Sequence, residues 1–221
     1  PDMVIDCCAG GGQRNDLETL RRAVPLWRSD YQYEPIGVQC QTYGISFWLP
    51  YYGGGNLADA NVTYHGDGHT AVDSYAFWSA CFPSISCGID MRVRDIDYAA
   101  LRRLYGHVRE IAPHFYGDFY PLTPYSLGDD VWLAWQFNNP ESGDGMVQAF
   151  RREKSVYESA RFCLRGLEPE ANYSIGNIAV SNFKTEIGQE LMENGLLVSL
   201  SERPQAAVIT YKKTAESSAN R

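Results

Sequence analysis

The sequence predicts an α/β chain in two parts. Residues 1–117 alternate strands and helices, residues 118–213 form a small antiparallel, sandwich-like all-β domain, and 214–221 are a frayed tail. Three observations carry this. Short apolar runs in the first part end in glycine-rich or polar loops and are followed by helical stretches, the order of a parallel α/β architecture. The second part shows strand-length runs separated by Gly, Pro, Asn and Asp. A chain of 221 residues, 44% hydrophobic, also has enough apolar material for between one and two cores.

Met3-Val4-Ile5 is a compact apolar run that leads into Cys7-Cys8-Ala9-Gly10-Gly11-Gly12, as a buried parallel strand leads into a loop. Asn15 or Asp16 can cap a short helix with Leu17, Leu20 and Val24 at helical spacing, which Pro25 ends. Leu26-Trp27 is a second brief strand that stops in Arg28-Ser29-Asp30. A helix is predicted from Ile36 to about Tyr43, with Gly44 at its end, and a third strand over Ile45–Leu49, stopped by Pro50. Tyr75–Trp78 and Ile85–Ile89 compete to be the fourth strand, and both are too short for periodicity to decide. The clearest helix runs from Tyr98 to Ala112. Leu101, Leu104, Tyr105, Val108 and Ile111 form its apolar stripe, Arg102, Arg103 and Arg109 lie off it, Asp95 or Asp97 caps it and Pro113 follows. After Pro121 the strand-like runs are Trp132–Phe137, Met146–Arg152, Ala160–Leu167, Leu196–Leu200 and Ala206–Lys213. In the third, Phe162 and Leu164 share one face while Arg161, Cys163 and Arg165 share the other.

The balance of charge narrows the function classes. Nineteen basic against 27 acidic residues leave a net charge of −8, with no basic run to track a phosphate backbone, so nucleic acid is excluded as a partner. No apolar run approaches the roughly 18 residues of a membrane helix, so no membrane partner is expected. Six cysteines without CxxC spacing argue against a zinc ribbon or redox motif. They read as free, mostly buried thiols of a reducing compartment, and with no signal segment at the start this favours a cytoplasmic protein. The chain begins Pro1-Asp2-Met3, almost directly on a strand-like run, as a piece of something longer would. The Gly10–Gly12 run fits neither GxxxxGK[ST] nor GxGxxG, because Asn15 stands where the last glycine is needed, so no nucleotide cofactor is expected. His65-Gly66-Asp67-Gly68-His69 offers two imidazoles and a carboxylate, but no other segment supplies further ligands and no metal is expected. Asn61-Val62-Thr63 and Asn172-Tyr173-Ser174 match the glycosylation sequon, which matters only in a secreted eukaryotic setting.

What remains is Cys8 to Asp16 followed by Trp27-Arg28-Ser29-Asp30. If the two strands are parallel neighbours, their carboxyl ends open on one face, where α/β barrels place their chemistry. Glycines there let backbone approach a ligand, and Asp30 at a strand end suits acid/base work. From spacing alone it serves equally well as a helix cap or ion-pair partner. Fifteen Tyr, nine Phe and five Trp add flat amphipathic side chains that stack on sugars as readily as they fill cores.

At these residues the chain resembles the α-galactosidases of glycoside hydrolase family 36. That family carries a Cys, a glycine run and Arg-x-Asp, then Trp-x-Ser-Asp. Cys8, Gly11, Gly12, Arg14 and Asp16 match the first element; Trp27, Ser29 and Asp30 match the second, with a similar spacing, here 22 residues from Cys8 to Asp30. The likeness continues less sharply through Gln41-Thr42-Tyr43-Gly44, the long helix and Tyr116-Gly117-Asp118. It implies the second half of a (β/α)8 barrel, strands five to eight, followed by the C-terminal β domain. It implies Asp30 as general acid/base, Cys8, Gly11 and Trp27 lining the galactose pocket, and Arg14 and Asp16 bracing the loop. No cofactor is implied; the partner is an α-galactoside or oligosaccharide, and a homo-oligomer of the full-length enzyme is compatible with it.

Two departures qualify the resemblance. The family usually has another Asp three residues after the acid/base, where this chain has Tyr33, so an N-acetylgalactosaminide or another α-glycoside stays open as substrate. A retaining glycosidase also needs a second carboxylate about 5–5.5 Å from the acid/base. In the family it lies in Lys-x-Asp, and every lysine here, from Lys154 onward, lies outside such a motif. The nucleophile is then expected upstream and the chain alone inactive. The rival from another class is a non-catalytic carbohydrate-binding protein descended from such enzymes.

Overall fold

The computed structural model describes residues 3–8, 10, 13–29, 34–56, 72–87, 94–180 and 182–214. It is a mixed helix and strand structure. The short helix α1 (Leu17–Leu20) is capped by Asp16, and α2 (Pro35–Ile45) by Glu34, whose carboxylate accepts from the Ile36 and Gly37 amides. The strand β1 (Gly53–Asn56), the helix α3 (Ser74–Ser79) and the strand β2 (Ser84–Cys87) follow. Then comes α4 (Tyr98–Ile111), which buries Leu101 and Ile111 and is capped by Asp97. A 3-10 turn, Ala112–Tyr116, takes up Pro113 and buries Phe115.

Eight strands complete the chain: β3 (Asp118–Pro121), β4 (Trp132–Asn139), β5 (Asp144–Arg151), β6 (Ser159–Phe162), β7 (Asn172–Asn177), β8 (Phe183–Ile187), β9 (Leu196–Ser199) and β10 (Gln205–Lys213). Six form an antiparallel sheet in the order β3-β4-β5-β10-β7-β8, and β6 pairs with β9 in a second layer. The β4–β5 hairpin closes through Gly143 at a φ of 66°, with its amide on the Asn139 carbonyl at 2.9 Å.

The large sheet is covered on both faces, which is why β4 is buried at seven successive positions instead of alternating. Leu133, Trp135, Phe137, Met146, Phe150 and Val208 meet Tyr43, Phe77, Trp78 and Ile111 on the helical side. Trp132, Ala134, Ala149, Ile209 and Tyr211 meet Phe162, Leu164, Leu196 and Val198 on the other. The expected alternation at 161–165 is present, with Phe162 and Leu164 buried and Arg161, Cys163 and Arg165 exposed. Gln136 spans this second interface: its amide donates to the Arg165 carbonyl at 2.9 Å and the Tyr211 hydroxyl at 2.7 Å, and its carbonyl accepts from the Arg165 amide at 2.8 Å.

Two sequence expectations fail, and one choice left open is decided. Ile45–Leu49 is no strand: Ile45 closes α2, the next residues turn, and the strand is the glycine segment β1. Of the two candidates for a fourth strand, Tyr75–Trp78 lies in α3, where the Asp73 carboxylate caps the Tyr75 amide, and the second becomes β2. Ala160–Leu167 pairs only through Phe162, beyond which backbone contacts to Leu191 and Gln136 replace a strand partner.

Candidate functional site

Four chain segments lie side by side in the same direction. The Val24 amide donates to the Ile5 carbonyl at 2.9 Å and the Cys7 amide to the Val24 carbonyl at 2.8 Å, a parallel bridge. The Gly53 amide donates to the Pro25 carbonyl at 2.8 Å, joining β1 to the second segment, and β1 pairs in parallel with β2. Gly53 is required by this closeness, since a Cβ there would come within 2.6 Å of the Leu26 carbonyl and 2.8 Å of that of Ser84.

The second segment is held from two sides at its carboxyl end. The Asn15 side-chain amide donates to the Arg28 carbonyl at 2.8 Å, and that of Gln41, on α2, to the Ser29 hydroxyl at 3.2 Å. Between them Arg28, 2% exposed, turns back under α2. Its Nη2 donates to the Val38 carbonyl at 3.2 Å and the Thr42 hydroxyl at 2.9 Å, and the guanidinium lies 5.0 Å from the Tyr52 ring centroid and 4.4 Å from that of Phe82. Burial pushes its pKa down to about 10, against the favourable influence of Tyr52, so it stays charged near neutrality. Asn15, Arg28, Ser29, Gln41, Ile45 and Trp48 line a cavity of about 250 Å³.

Of the residues singled out from sequence, Cys8 and Arg14 are exposed and Trp27 is half-buried. The Arg14 guanidinium folds over Gly10, 3.3 Å from where a Cβ would stand. Asp16 caps α1 through bonds of 2.9 and 2.8 Å to the amide and hydroxyl of Thr19, and the amide bond is the main reason its carboxyl titrates below the ordinary range. Asp30, Gly11, Gly12, Tyr33 and the His65–His69 loop lie outside the described residues. Arg28, Asn15 and Gln41 were missed as contributors. Alternation about Trp27 and Ser29 could have signalled that Arg28 points the other way. Among the described residues no three His, Cys, Asp or Glu side chains gather as a metal site, and no helix is long and apolar enough to cross a membrane.

The site is therefore a set of parallel segment ends braced by polar side chains, in a chain completed by an antiparallel β domain. Residues 132–211 match the glycosyl hydrolase family 36 C-terminal domain. The chain is 26% identical over 201 residues to α-galactosidase 1 of Pediococcus pentosaceus, covering 88% of this chain and 26% of that protein. It is similar to the family 36 α-galactosidase AgaA of Geobacillus stearothermophilus in complex with raffinose, with a TM-score of 0.76 and 19% identity over 96% of this chain and 29% of that one. A second AgaA structure, in complex with stachyose, gives 0.68 and 22% over 92% and 28%. Residues 132–211 thus match a family 36 C-terminal domain, and most of this chain is similar to part of an α-galactosidase. The chain spans about a quarter of the length of the curated relative it matches.

Proposed function

We propose that this chain is the C-terminal part of a retaining α-galactosidase, with residues 1–117 as strands five to eight of the barrel and 118–213 as the C-terminal β domain. The observation that carries the reading is the parallel alignment of Ile5–Cys7, Val24–Arg28, β1 and β2. In a barrel, the loops leaving the carboxyl ends of such strands build the active site. Asp30 follows Ser29 directly, at the segment end that Asn15, Arg28 and Gln41 brace.

On this reading Asp30 is the general acid. It protonates the departing glycosidic oxygen while a carboxylate from beyond this chain attacks the anomeric carbon. Its conjugate base then takes a proton from the water that hydrolyses the glycosyl-enzyme, returning both carboxyls to their starting states. Cys8, Gly11 and Trp27 line the galactose pocket, while Arg14 and Asp16 support the loop. The substrate is an α-galactoside; relatives of this fold have been captured with raffinose and stachyose.

The test is Asp30→Ala in the longer protein. Turnover of raffinose should fall by about 10²–10⁴-fold, and that of an activated aryl galactoside, whose leaving group needs no proton, should fall less. Equal activity of variant and parent on both would overturn the assignment. The 221-residue chain assayed beside them should be inactive.

A further inference from the structure

A second site lies on the β domain, away from the segment ends. On the helical side of the large sheet, the helices cover β4, β5 and part of β10 but stop short of β7 and β8. This leaves a cleft of about 650 Å³ between the carboxyl end of α4 and the β7–β8 hairpin, within the range of small-molecule pockets.

Its lining has two characters. Phe183, 67% exposed, lays its ring over Gly176, where a Cβ would overlap the ring. Ser174 and Thr210 stand on the same sheet face, in the register Ser174 to Lys212 and Gly176 to Thr210. Asp144 and His114, 3.4 Å apart, form the far wall. Glu110 and Asp144 share the lining with Lys212 and Lys213, so it does not select a strongly charged ligand, as it would with one sign of charge. An exposed ring beside hydroxyls and a hydrogen-bonding acid/imidazole pair matches a molecule with an apolar face and a hydroxyl edge.

The geometry points to a carbohydrate-binding subsite in this cleft, one that takes a neutral hexose unit of an oligosaccharide against Phe183, with its hydroxyls toward Ser174, Thr210 and the His114–Asp144 pair. It uses from the preceding section only that the protein meets oligosaccharides; the cleft contains none of the residues assigned to catalysis.

Calorimetric titration of raffinose into the 221-residue chain and into the longer protein tests this, with Phe183→Ala, Thr210→Val and Asp30→Ala in parallel. Phe183 is largely exposed, so its truncation leaves the fold intact, and far-UV circular dichroism checks that. Phe183→Ala should weaken binding about tenfold or more, Thr210→Val should weaken it less, and Asp30→Ala should leave the cleft's affinity unchanged. Hydrolysis of a small aryl galactoside by the longer protein should survive Phe183→Ala. Affinity that is equal in Phe183→Ala and parent, or lost in Asp30→Ala alone, overturns the subsite, as does no binding up to about 100 mM raffinose. The loss in Asp30→Ala alone would leave the proposed catalytic reading standing, so the two failures are distinguishable.

Discussion

The two regions of this molecule solve the burial problem differently. In the β domain, β4 and β5 pair over eight residues each, both faces of their sheet are covered, and buried polar groups such as Gln136 and Tyr211 satisfy one another. At the start of the chain, one parallel bridge joins Asp6 to Val24, and the apolar side chains of Met3 and Val4 are 81% and 75% exposed. The core between the large sheet and the β6–β9 pair lies wholly within the β domain, while the sheet's other face is shared with α2, α3 and α4. Arg152, fully buried, ties the two regions: it donates to Gln39 on α2 at 3.1 Å and to the Ser126 and Gly128 carbonyls at 2.8 and 2.6 Å.

Arg152→Met should produce the largest stability loss. It leaves the buried Gln39 carbonyl and the half-buried Ser126 and Gly128 carbonyls without their charged donor, at a cost of about 3–5 kcal/mol in denaturant unfolding. Because its bond to Gln39 is one of the polar ties between the regions, circular dichroism and tryptophan fluorescence should coincide less closely in their transitions. A loss below about 1 kcal/mol would mean that the regions are joined by apolar packing alone. Next comes a pair of truncations that measures the contrast directly. Leu133→Ala, at a fully buried position, should cost about 2–5 kcal/mol. Val4→Ala should stay within about 0.5 kcal/mol in this chain. If Val4→Ala costs as much as Leu133→Ala, the first segment buries its side chains in solution and the contrast is broken.

The two buried arginines sharpen the comparison further. Arg28 is as buried as Arg152 but makes two hydrogen bonds through Nη2 and rests on aromatic faces, with a pKa depressed to about 10 by desolvation. Methionine can keep those ring contacts and removes a costly buried charge. Arg28→Met should therefore cost only about 1–2 kcal/mol in the same unfolding experiment, since the lost bonds are partly offset by relief of that desolvation. A cost equal to that of Arg152→Met would show that the guanidinium itself holds the segment end.

Much of the fold was legible where the pattern was local. The α4 stripe has helical spacing, and β4, β5 and β10 are long apolar runs, so each announced itself. The strands β3, β7 and β8 did not, because sequences such as Asn172–Asn177 mix Asn, Ser and Gly, and Phe183–Ile187 is mostly exposed. The Ile45–Leu49 run misled because its apolar residues end a helix, while the strand beside it is built of glycines that carry no side-chain signal. At the site, the spacing of Cys8, Trp27 and Asp30 could be read as a motif. The bracing of Arg28 by Asn15, Val38 and Thr42 could not, because it joins residues 10–14 positions apart that meet only after α2 packs on the segment.

The smallest expected effect concerns pH and the seam between α4 and the sheet. Burial lowers the pKa of His114 below its ordinary value; Asp144, 3.4 Å away, opposes this but does not reverse it. Burial alone would raise the Asp144 carboxyl, but hydrogen bonds from Ser142 and Asn139, with His114 and Lys212 nearby, hold it low. In the unfolded chain a histidine titrates near pH 6.5. Just below that pH the unfolded state therefore binds more protons than the folded one, and stability falls as pH falls. The contribution is fully present above about pH 6.5 and is lost between there and the lower folded value. Asp144 and Asp129, also held low, lose theirs further down, below the ordinary carboxylate pKa, so the two windows separate. His114→Gln keeps a polar side chain beside Asp144 but cannot titrate. Its stability should parallel that of the parent above pH 7, and the parent should then lose stability relative to it as pH falls from about 6.5. Denaturant midpoints measured from pH 8 to pH 5 decide it: curves that stay parallel throughout would show that His114 opens to water too readily for the seam to sense its charge.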